Sequence, residues 1–128
     1  LVVTLDGGPR VIAYRLPGGA NVLKNYDSQM GRTGEPEWQI RGGHRFWLAP
    51  EDLTRTYFPD NRPVKWEQVG PHAARLTPPP ETEYGVQKQM TLELAPKGTK
   101  VTVTLTVTNI GTGPTTLAAG VLRANGAN

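Results

Sequence analysis

Lys100-Val101-Thr102-Val103-Thr104-Leu105-Thr106-Val107-Thr108 alternates apolar side chains with threonine without a break. A period of two puts Val101, Val103, Leu105 and Val107 on one face of a pleated strand and the threonines on the other. Threonine is β-branched, so the wet face keeps strand propensity while staying polar. The stretch reads as a β-strand with one buried face, and it sets the class of the chain.

Working outward, Asn109-Ile110-Gly111-Thr112-Gly113-Pro114 supplies turn residues, and Thr115 to Leu122 is expected to return as the second arm of a hairpin. Upstream, Val86, Lys88, Met90, Leu92 and Leu94 alternate with polar neighbours, and Ala95-Pro96-Lys97-Gly98 turns that strand towards the long one. The expectation is a three-stranded meander over residues 86–122. Leu1 to Leu5 and Arg10 to Leu16 flank a turn at Asp6-Gly7-Gly8-Pro9 and predict an opening hairpin. Val64 to Val69 and Ala73 to Thr77 flank Gly70-Pro71-His72 and predict another, with Trp66 in the core and His72 a solvated turn residue. No stretch carries a helical stripe. The expected fold is all-β, an antiparallel β-sandwich.

At 128 residues the chain has the size of one domain, so 1–128 is read as a single β-sandwich domain. Its 15 glycines and 12 prolines are scattered as punctuation between apolar runs. Fourteen basic and 11 acidic residues are mixed along the chain, which argues against a nucleic-acid partner. The absence of cysteine excludes disulfides, thiolate metal ligands and a cysteine nucleophile, and leaves the compartment open, secretion or a periplasmic location included. No run approaches the roughly 20 apolar residues that cross a bilayer, so a soluble chain without a membrane partner is expected. His44 and His72 match no metal-ligand spacing, and no nucleophile elbow, phosphate loop or dinucleotide fingerprint occurs. No cofactor and no metal are expected.

Residues 25–61 differ from the rest. They show few period-two matches and concentrate aromatic and charged side chains, and a long irregular connection inside a small domain is more often functional than idle. The densest part is Arg41-Gly42-Gly43-His44-Arg45-Phe46-Trp47-Leu48-Ala49-Pro50-Glu51-Asp52. Sugars offer C–H faces that lie on Trp or Tyr rings, and hydroxyls that suit planar or bidentate partners. Trp47, Trp38 and Tyr57 are therefore the stacking candidates, with His44, Arg45, Glu51, Asp52 and Asp60 as polar contacts. The same residues also have a structural reading. Phe46 is then core, Arg45 pairs with Glu51 or Asp52, Gly42-Gly43 makes a tight turn, and Asp60-Asn61 is turn chemistry between prolines. Trp47 and His44 fit either reading equally. For catalysis, the only acid–base candidates are His44 with Glu51, Asp52 or Asp60.

Gly8-Pro9-Arg10-Val11-Ile12, the 42–51 stretch, Tyr57 to Pro63 and Val101 to Gly111 together resemble the first half of bacterial proteins of the galactose-mutarotase-like, or aldose-epimerase-like, superfamily. The resemblance implies part of a large antiparallel supersandwich with a sugar cleft across one concave sheet. In the epimerases the strand after the Asn-containing turn leads to a catalytic His, whereas residues 117–128 contain none, and the general-base Glu belongs to a later half. The resemblance thus implies carbohydrate binding without turnover. A fragment of a sugar-processing enzyme, or a structural sandwich without a small ligand, are the alternatives. A half-sandwich exposes strand edges and an apolar face, so a symmetric homodimer is expected to cover them.

Overall fold

In the computed structural model, which describes residues 1–126, eight strands follow one another along the chain. They are β1 (Val2–Thr4), β2 (Arg10–Ala13), β3 (His44–Ala49), β4 (Lys65–Gly70), β5 (Ala73–Thr77), β6 (Val86–Leu94), β7 (Val101–Asn109) and β8 (Ala118–Arg123). A single 3-10 turn, Asp27–Gln29, lies between β2 and β3. The strands form two antiparallel sheets, ordered β1-β2-β3-β8 and β4-β5-β6-β7. The fold is an all-β sandwich.

The alternating sequences make this packing. On β6, Val86, Met90 and Leu92 point inward and are buried, and on β3 the inward residues are Phe46 and Leu48. These meet Val11 from β2, Leu76 from β5, and Leu23 and Val64 from the connections, in one cluster between the sheets. Each such side chain contributes ~1.5–3 kcal/mol by leaving water. On β7, Val101, Val103, Leu105 and Val107 are only half-buried, while Thr102, Thr104, Thr106 and Thr108 face solvent.

Both expected hairpins form, β1 with β2 and β4 with β5. β6 and β7 also pair, over nine positions without a shift. Three expectations are corrected. First, the 115–122 segment does not return beside β7; β8 crosses to the other sheet and pairs with β3 from Ala49↔Ala118 to His44↔Arg123. The connection over residues 110–117 is far longer than a two-residue hairpin loop, which leaves the chain free to change layers. Second, the 25–61 region is not wholly irregular, because it contributes β3, an inner strand of the first sheet. Third, Trp66 is not core. It is 61% exposed although its register partner Leu76 is buried, because β4 is an edge strand.

One polar residue occupies the inner stripe of β6. Lys88 is buried among Val86, Met90 and Leu92, ion-paired with buried Glu81, and its ammonium lies 5.8 Å from the centre of the Phe46 ring. Ion pairing and an aromatic face together replace the water it loses.

Candidate functional site

The alternation of β3 sorts the densest stretch of the sequence into two faces. His44, Phe46 and Leu48 turn towards the core side, and Arg45, Trp47 and Ala49 turn outward. Ahead of the strand, Gly42 and Gly43 adopt φ of +90° and +73°. A Cβ at Gly42 would stand 2.1 Å from the Lys24 carbonyl oxygen, and one at Gly43 2.5 Å from that of Val11. Only glycine fits there, and the turn delivers β3 against β2.

On the outer face Trp47 meets Trp38, from the preceding loop, and Tyr57, from the loop after β3. The three rings pack edge-to-face, with centroids 5.8 Å apart for Trp38–Trp47 and 5.2 Å for each tryptophan with Tyr57. All three are half-buried. The cross-strand partner of Trp47 on β8 is Gly120, which has no side chain to cover the indole. The Arg45 guanidinium lies 5.1 Å from the centre of Trp38 and 5.9 Å from that of Trp47. Arg45 is itself sealed beneath the rings and donates to the Gln39 carbonyl and to Asp60.

Asp60 Oδ1 accepts from Arg45 and, at 2.7 Å, from Arg10, which stands opposite Arg45 in the β2–β3 register. Burial pushes the Arg10 guanidinium down to about 10, against the attraction of Asp60. Nearby, buried Arg41 donates to Glu35 and to the Gln29 and Arg32 carbonyls, and buried Asn61 also donates to Glu35. These contacts fasten the loops on either side of β3 to one another and to the first sheet.

The sequence-based candidates therefore divide. Trp38, Trp47, Tyr57 and Glu51 share one surface patch; the Tyr57 hydroxyl donates to Glu51 at 2.6 Å, a bond that raises the phenol pKa above 10.0. Arg45 supports that patch from below, and its partner is Asp60 rather than Glu51 or Asp52. Asp60 is 9% exposed and engaged by two arginines, so it is part of the scaffold. Asp52 Oδ1 accepts the Arg55 N–H, the Thr54 hydroxyl and the Thr54 N–H, which together hold its carboxyl down to about 2 and commit it to its own turn. The His44 side chain lies on the other face of β3. It borders an opening of about 320 Å³ lined also by Val11, Leu23, Val103 and Arg123, and its Nε2 is buried without a hydrogen bond. Burial, followed by the Arg123 charge, lowers its pKa.

Trp66 is the most exposed aromatic side chain among the described residues, and reading its strand as core concealed it. An edge position is the property that alternation alone does not reveal. Among the described residues, no three His, Asp or Glu side chains gather as a metal site, and no helix is long and apolar enough to cross a membrane. Comparison with protein families, curated proteins and solved structures finds no match.

Proposed function

We propose that this chain is a non-catalytic carbohydrate-binding β-sandwich. The observation that carries the reading is the convergence of Trp38, Trp47 and Tyr57, from three separate segments, into one half-exposed patch with Glu51 at its margin. Indole and phenol rings supply faces for sugar C–H groups, and Glu51 supplies an acceptor for hydroxyls. The rings stand nearly perpendicular, with interplanar angles of 72°, 77° and 86°. Such an angular surface suits a soluble oligosaccharide that bends across it better than a flat crystalline polysaccharide. The side-chain alternation of β3 keeps His44 on the face opposite this patch, which supports binding without proton transfer to the sugar.

A glycan array followed by calorimetry on the retained sugars tests the reading. Trp47→Ala is expected to weaken binding by at least about tenfold, in line with loss of a buried aromatic contact, and Trp66→Ala to leave it unchanged. If no sugar is retained, the triad is a packing element. If only Trp66→Ala reduces retention, the binding surface is on the second sheet.

A further inference from the structure

Strand β7 lies at the edge of its sheet and pairs with β6 alone among the described strands. The Ala95 N–H donates to the Lys100 carbonyl, and the Ile110 N–H to the Gly85 carbonyl. Even-numbered residues thus turn their peptide groups towards β6. By the period of two, Val101, Val103, Leu105, Val107 and Asn109 turn theirs towards the open edge.

Edges of this kind are ordinarily blunted by lysine, proline or a bulge. β7 has none of them: no residue from Val101 to Leu122 is charged, and its register with β6 runs without a shift. Ile110 and Val121 are exposed at 46% and 48%, one just past the end of β7 and the other on β8, which touches β7 at the matching edge of the first sheet.

The sequence of β7 also reads nearly the same in both directions about Leu105. Thr104 mirrors Thr106, Val103 mirrors Val107, and Thr102 mirrors Thr108. Two identical antiparallel strands related by a twofold axis place each residue opposite its mirror position. Centred on Leu105, that pairing sets Val103 on Val107 and Leu105 on Leu105 on the inner face, with Val101 opposite Asn109 at either end, and threonine on threonine outside. It also engages every outward peptide group from Val101 to Asn109. An unrelated strand has no reason to share this symmetry.

We infer that β7 is a self-pairing edge through which two copies of this chain join their second sheets into one, with the twofold axis at Leu105. The inference does not depend on the carbohydrate reading.

Sedimentation velocity tests it directly. The native chain is expected to dimerise, and Thr104→Lys/Thr106→Lys to raise the dimer dissociation constant at least about tenfold, because four like charges then flank the axis. Both threonines are exposed, so circular dichroism of the variant should be unchanged. Mixing it with Thr104→Glu/Thr106→Glu should restore a dimer as a heterodimer. The chain has no cysteine, so a Thr104→Cys copy oxidised together with a Thr106→Cys copy should give mainly the mixed disulfide. A chain that stays monomeric up to about 100 µM, a dimer that survives the lysine pair, or a mixed disulfide no more abundant than the like pairs would each overturn the inference.

Discussion

Arg10 and Arg45 stand opposite one another on β2 and β3, each 2% exposed, and one oxygen of Asp60 accepts from both. Two guanidiniums side by side on a sheet repel, so the carboxylate is what permits the pair. Asp60 reaches it from the loop after β3 and so ties that loop to the sheet beneath the aromatic patch.

Asp60→Asn is accordingly expected to lower folding stability by about 3–5 kcal/mol, since it leaves two buried cations without their counter-ion. Glu67→Gln, which breaks the exposed pair with Arg75, should cost less than about 1 kcal/mol. Urea unfolding of the two variants makes the comparison; equal losses would contradict the scaffold role of Asp60.

The pH dependence of stability has a predictable sign for two buried groups. The folded-state pKa of His44 is lowered, so its contribution is present above the ordinary value of 6.5 and is lost as pH falls through the folded value. Burial, opposed by Lys88, raises Glu81, so its contribution is present below the ordinary 4.5 and is lost as pH rises through the folded value. Urea midpoints should fall as the pH drops below 6.5, and His44→Gln should flatten that fall. An NMR titration that places the His44 imidazole at or above 6.5 would refute the assignment.

Gly42→Ala should destabilise the chain by more than about 2 kcal/mol, because it meets both an unfavourable φ and the Lys24 carbonyl. Gly18→Ala provides the control. It has a comparable φ of +74° but open space around it, so any excess loss at Gly42 measures the steric part. Thermal unfolding reads both.

Phe46→Ala is expected to cost about 3–5 kcal/mol, and Trp66→Ser less than about 1 kcal/mol. The larger side chain contributes less here because most of it already faces water. Chemical denaturation of the two variants checks the order.

The strands with one wet face were legible from sequence. Threonine at 102–108 and glutamine or threonine between the apolar residues of β6 announce the period of two. β3 lacks that contrast, because its outward residues are not wet: Arg45 is buried beneath the flanking loops and Trp47 is half-buried, and both are as bulky as Phe46 and Leu48. Once 44–49 is taken as a strand, the separation of His44 from Trp47 follows from parity alone. The pairing of Asp60 with arginines 15 and 50 residues away has no local signature. Nor does the layer change before β8, since a glycine- and proline-rich connection serves a hairpin and a crossover equally well. Trp38, Trp47 and Tyr57 are each legible as stacking candidates from their residue type, but their convergence and mutual tilt are set by packing.

Lys88 gives the two layers a reason to form together. Its ammonium needs Glu81, from the segment before β6, and lies over Phe46 of the opposite sheet. A second sheet assembled alone would hold the cation in a half-finished apolar surface, open to water and short of its aromatic cover. The cross-layer contact therefore favours cooperative folding: the layers should melt in one transition, without a long-lived intermediate in which only the meander of β4 to β7 persists.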